Sequence, residues 1–153
     1  MSRPTSRQWL LPKLRIDPDG EWFTEGEEIT HAGILAYLRG NLRHDGEGYF
    51  VQAGPVRVPV EVEDTPFAVV RVESEGNALR LTVNDQSQEL LDPATLRLAP
   101  GGVPYCRIKV GQFEARFTRA AAHQLGQFIH YDEGSNRATL TLGGARYQLT
   151  PGG

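Results

Sequence analysis

The chain carries one pattern twice, and this restricts it to folds that can be assembled from two similar pieces. Gly54-Pro55-Val56-Arg57-Val58-Pro59-Val60 aligns with Gly143-Gly144-Ala145-Arg146-Tyr147-Gln148-Leu149, Gly on Gly and Arg on Arg, with apolar residues on the same alternate positions. Gly20 and Gly111 mark an earlier turn in each copy, and Thr30 and Thr118 an expected helix start. These three pairs lie 91, 88 and 89 positions apart, the near-constant offset of a tandem duplication. The interface between two such copies is a favoured place for a ligand.

The first copy reads as strand Leu14–Ile16, an Asp17-Pro18-Asp19-Gly20 turn and a returning strand with Trp22 and Phe23. A helix follows, capped by the Thr30 hydroxyl and striped by Ile34, Leu35, Leu38 and Leu42; the Asp45–Gly48 segment ends it. Tyr49–Val51 turns at Gly54-Pro55 into the alternating Val58, Val60 and Val62. Pro59 lacks an N–H, which predicts an edge or a bulge for that strand. Extra strands run from Phe67 to Leu91. The second copy has strands at Tyr105–Val110 and Phe113–Phe117. Its helix is capped by Thr118 and striped by Ala121, Leu125, Phe128 and Ile129, with a break at 132–136 and a closing hairpin about Gly143-Gly144. Each copy is thus β-β-α-β-β. Short sequential hairpins imply mostly antiparallel sheets, hence an α+β fold. The expected organisation is an N-terminal arm at 1–13, a first α+β half with the extra strands at 14–99, and a second at 100–153.

Bulk properties exclude several classes. A formal charge of −3 does not suit a chain that coats nucleic acid polymers, and no apolar run approaches the roughly 20 residues that span a bilayer. Trp9-Leu10-Leu11 is too short for a signal segment, so the expected location is the cytoplasm. The single Cys106 alternates with Ile108 and Val110 and reads as a small buried hydrophobe. His31, His44, His123 and His130 show no metal spacing, the Asp17–Gly20 turn lacks the glycine of a calcium loop, and the glycine pairs are not phosphate loops. No nucleophile elbow is present. The sequence implies no metal and no cofactor, and it favours a binding module over an enzyme.

Several segments resemble the bacterial family called domain of unknown function 1285. They are Arg15–Phe23 with Glu25-Gly26 and Ile29, Val60-Glu61-Val62-Glu63-Asp64-Thr65-Pro66-Phe67, Pro104-Tyr105, and Glu114–Arg119. The resemblance spans Leu14 to Leu149. It implies a duplicated α+β architecture whose second half is similar to a pleckstrin-homology barrel. It also implies a small ligand of nucleotide-like kind held between the halves and a role in signalling. The family's Trp-Asn-Pro and Cys-Gly elements are replaced here by Gln8-Trp9-Leu10-Leu11-Pro12.

The candidate site residues follow from strand alternation. Continuing Val58, Val60, Val62 puts the Asp64 carboxylate on the apolar face, where it needs a partner; alternatively it caps the turn before Thr65-Pro66. Arg57 and Glu63 lie on the opposite face of that strand, as Glu114 and Arg116 do on theirs. If those polar faces met between the halves, Arg57 and Arg116 could bind a phosphate or carboxylate bidentately. Trp22, Phe67 and Tyr105 would form an aromatic wall, although strand aromatics commonly belong to the core. The expected function is a regulatory module for a small anionic or nucleotide-like ligand. The alternative is a protein-interaction module docking through the Pro59 strand or the arm at Trp9.

Overall fold

The computed structural model describes residues 11–132, 134 and 137–151, and the chain divides into two compact units, Met1–Asp64 and Thr65–Gly153. The expectations for the arm around Trp9, and for the break at 133, 135 and 136, lie outside the described residues.

In the first unit, strands β1 (Leu14–Ile16), β2 (Trp22–Thr24), β3 (Glu27–Glu28), β4 (Leu42–Asp45), β5 (Gly48–Ala53) and β6 (Val56–Val62) form one sheet in the order β3-β2-β1-β6-β5-β4. Asp17 makes the first turn, its carboxylate accepting from the backbone N–H groups of Asp19 and Glu21, both at 2.9 Å. Leu14, Ile16, Trp22, Leu42, Val51, Val58 and Val60 line the buried face. The Val62 alternation is not continued to Asp64, which is exposed in the bend that ends β6.

Contrary to the edge expected for Pro59, β6 is an interior strand, flanked by β1 and β5. The hydrogen-bond pattern explains how a proline fits there. Gln52 N–H bonds Asn41 on the β4 side, so Val51 and Tyr49 bond toward β6, and Phe50↔Pro59 is a pair that exchanges no ladder bonds. Pro59 nitrogen therefore points toward β1. The parallel ladder there runs Leu14↔Val60 to Ile16↔Val62 and ends with Glu63 N–H on the Ile16 carbonyl. One step back, the register would set the Pro12 carbonyl against Pro59, which has no N–H to give. The ladder stops at Leu14 for this reason.

In the second unit, β7 (Phe67–Glu75), β8 (Ala78–Val83), β9 (Gln88–Leu90), β10 (Arg97–Leu98), β11 (Pro104–Ile108), β12 (Phe113–Phe117) and β16 (Thr150–Pro151) form a sheet ordered β16-β10-β11-β12-β7-β8-β9. A meander of β13 (Ile129–Asp132), β14 (Arg137–Leu142) and β15 (Ala145–Gln148) forms a separate sheet. Sequence order attaches the strands from Phe67 to Leu91 to the first half; the parallel pairing of β7 with β12 attaches them to the second. The strands do not close into the barrel implied by the family resemblance. Both sides of β14 are occupied within the meander, which leaves the seven-stranded sheet open.

The fold is α+β with duplicated halves. All described pairings but β1–β6, β10–β16 and β7–β12 are antiparallel. Each half runs hairpin, helix, three-stranded meander, and the matched glycines take matched conformations: φ 82° and 76° at Gly20 and Gly111, 60° and 58° at Gly54 and Gly143. Both helices end earlier than their apolar stripes suggest. The first spans Ala32–Gly40 and the second Arg119–Gly126, so Leu42 and Ile129 open strands instead. Those residues gain ladder partners in Val51 and Leu140. Thr118 caps the second helix through Ala121 N–H at 3.2 Å, but the first is capped by His31, not Thr30, its Nδ1 accepting from Gly33 and Ile34. The first helix buries no residue, whereas the second buries Ala121 and Leu125.

Candidate functional site: arginines laid over aromatic strands

The second unit brings together three of the sequence candidates on one sheet face. Arg97, Tyr105, Arg116 and Ala68 are consecutive cross-strand partners on β10, β11, β12 and β7. Glu114 and Arg107, themselves paired, share that face by alternation. Arg97 sits 4.4 Å over the Tyr105 ring and crosses β11 to give Nε and Nη2 to Glu114 Oε2, at 3.3 and 3.0 Å. Ring and carboxylate together fix a side chain that would otherwise keep its rotamer freedom. Arg107 and Arg116 add two further arginines to that face, the Arg107 Nε donating to the Gly111 carbonyl at 2.9 Å.

Arg116 is positioned from its backbone. Its N–H donates to Thr65 Oγ1 at 3.1 Å, and the same hydroxyl donates to the Phe67 carbonyl at 2.8 Å. Thr65 is 1% exposed, so this bridge is sheltered from water. Phe67 itself faces the other way, packed edge-on to Phe113 with centroids 5.3 Å apart. It belongs to the core with Cys106, whose thiol burial pushes up to about 12. A thiol in that state is no nucleophile.

The first unit repeats the crossing. Arg57 on β6 lies 3.7 Å over the Phe50 ring on β5 and pairs with Asp45 on β4. That bond, helped by backbone N–H groups, holds the Asp45 carboxyl below its ordinary range. Arg15 stacks on Phe23 of β2 at 4.3 Å and pairs with Glu63 at the end of β6. Glu63 and Arg57 are therefore each engaged within their own sheet. Trp22, expected in an aromatic wall, is fully buried, and its Nε1 has no hydrogen-bond partner among the described residues.

Sequence reading found one or two members of each such group (Arg57; Glu63; Tyr105 with Glu114) and missed Arg15, Phe23, Asp45, Phe50 and Arg97. A signal was present: each missed aromatic or arginine stands on the polar face of an alternating strand, where an aromatic has no core to fill.

On the outer face of β2, β1 and β6 lies a groove of about 1090 Å³, lined by Leu11–Arg15, Phe23, Glu25, Gly26 and Pro59–Glu61. It opens where the β1–β6 ladder stops between Pro12 and Pro59.

Known proteins place this fold. A DUF1285 family protein from Silicibacter pomeroyi DSS-3 superposes with a TM-score of 0.71 at 23% identity, over 90% of this chain and 79% of that one. A second, from Shewanella baltica OS155, gives 0.64 at 19% identity over 76% and 91%. The resemblance seen in the sequence thus holds in the fold. No curated protein matches the chain. A family model matches residues 4–146, and the chain belongs to that family, described as a protein of unknown function, DUF2946.

Proposed function

We propose that this protein is a regulatory binding module for a small anionic ligand, nucleotide-like compounds included, and that the Arg97–Tyr105–Arg116 face of the second unit takes the anion. The observation that carries this reading is the gathering of three arginines, Arg97, Arg107 and Arg116, on neighbouring strands of that face, one of them held over a phenol ring. Guanidinium donors already held in place lose little further freedom when they meet a phosphate or carboxylate. A thermal-shift screen of the whole chain against inorganic phosphate, pyrophosphate, nucleotides and dicarboxylates tests it. Saturation at about 100 times the dissociation constant adds roughly 2.7 kcal/mol to stability. A shift that disappears in Arg116→Ala and Arg97→Ala supports the reading, and a shift indifferent to both overturns it. Cytoplasmic residence belongs to the same proposal. Among the described residues no helix is long and apolar enough to cross a membrane.

The second reading, a protein partner, draws on a different feature. The first helix leaves Ile34 and Tyr37 about half exposed, at 49% and 51%. Its counterpart in the second unit buries Ala121 and Leu125. Loss of a stoichiometric partner in Ile34→Lys, with the anion response intact, would favour this reading over the first.

A further inference from the structure

We infer that the groove of the first unit binds short apolar peptides with free termini, the size of a dipeptide. Its floor is apolar: Leu11, Pro12, Phe23 and Pro59 line an open groove of about 1090 Å³, ample for a dipeptide. Its charges are specific in kind. Two of the four charged lining residues are already occupied, Arg15 by Glu63 and Glu25 by the backbone N–H of Lys13. The Lys13 ammonium and the Glu61 carboxylate, both on exposed residues, have no ion pair among the described residues.

Their placement matches a zwitterion. Glu61 is the register partner of Arg15, and Lys13 lies two residues before Arg15. The two positions are therefore diagonal neighbours, on the order of 8 Å apart between backbones. The long, exposed side chains of Lys13 and Glu61 let their charged ends take up the roughly 6–7 Å by which an extended dipeptide separates its ammonium from its carboxylate, at about 3.3 Å per residue. The ligand ammonium then meets Glu61, its carboxylate meets Lys13, and its side chains cover Phe23 and the prolines. A ligand of single charge would leave one of these groups facing its own sign or nothing. The same proline that ends the ladder supplies the opening, because Pro59 leaves the Pro12 carbonyl without its strand donor.

The test is a nitrogen-15 NMR titration of the full chain with Leu-Leu, N-acetyl-Leu-Leu and Leu-Leu-amide. Saturable shifts are expected at Lys13, Phe23 and Glu61 with free Leu-Leu, and each capped peptide should bind at least about threefold more weakly, as for an exposed ion pair. Glu61→Gln should abolish the penalty of acetylation and Lys13→Gln the penalty of amidation, which a merely structural role would not do. Pro59→Val restores an N–H opposite Pro12, extends the ladder and should weaken all three peptides together. Absence of saturable shifts, equal binding of free and capped peptides, or penalties unchanged in the two charge variants would overturn the inference. The Arg97 and Arg116 variants leave this groove untouched, so its failure is separable from that of the anion site.

Discussion

Arg97 lies over the ring of Tyr105 and reaches across that strand to Glu114, just as Arg57 lies over Phe50 and reaches Asp45. Each crossing ties three adjacent strands through one side chain. Both ion pairs are partly exposed, with side chains 34% and 34% accessible in the first and 51% and 38% in the second. Screening by solvent keeps their contribution to folding small. Such pairs are too weak to be needed for the sheet alone, and their effect is to hold cationic groups in fixed positions on a sheet face.

Thr65 is the hinge of the second-unit site. Thr65→Val preserves shape but removes the hydroxyl that accepts from Arg116 N–H and donates to the Phe67 carbonyl, two groups that keep their β12–β7 ladder pairing. We expect a loss of about 0.5–1.5 kcal/mol in urea denaturation, with unchanged slope, and near-complete rescue by Thr65→Ser.

The two matched turn glycines should respond unequally. Gly54→Ala meets no atom within 4 Å, so only its φ of 60° is penalised, by about 1–2 kcal/mol. At Gly143 a Cβ would also stand 2.5 Å from Asn77 Oδ1. Gly143→Ala should therefore unfold at lower denaturant than Gly54→Ala, and Asn77→Ala should return it to the Gly54→Ala level.

Asp85 sets an acid dependence. Burial raises its pKa, but Lys109 Nζ at 2.7 Å, the Ser87 hydroxyl at 2.5 Å and Ser87 N–H together outweigh it, and the net shift is downward. A carboxyl depressed in the folded state stabilises above its unfolded pKa, and that contribution is lost as pH falls through the folded value. Stability measured from pH 6 downward should fall less steeply in Asp85→Asn than in the parent chain, and the two curves should converge in acid.

Much of the fold was legible because alternation and turn chemistry are local. Ile16, Val58, Val60, Cys106, Ala115 and Phe117 all sit on the buried faces that their spacing assigns. The helix ends were not, since Leu42 and Ile129 continue an i, i+4 stripe that the meander pairing overrides. Pro59 misled for a related reason: which side a strand nitrogen faces depends on ladder registers set by bonds to Asn41 and Ile16, 18 and 43 positions away. The site was half visible. Polar-face residues such as Glu114 and Arg116 announce themselves by alternation, but the arginine that reaches Glu114, Arg97, arrives from a strand 17 positions away.

The most direct test of the anion site is a nitrogen-15 NMR titration of the chain with pyrophosphate, compared with Arg116→Ala. The account predicts saturable shifts confined to Arg97, Tyr105, Glu114 and Arg116 and their immediate neighbours, lost in the variant. Saturable shifts elsewhere, or shifts at these residues that survive Arg116→Ala unchanged, would contradict it.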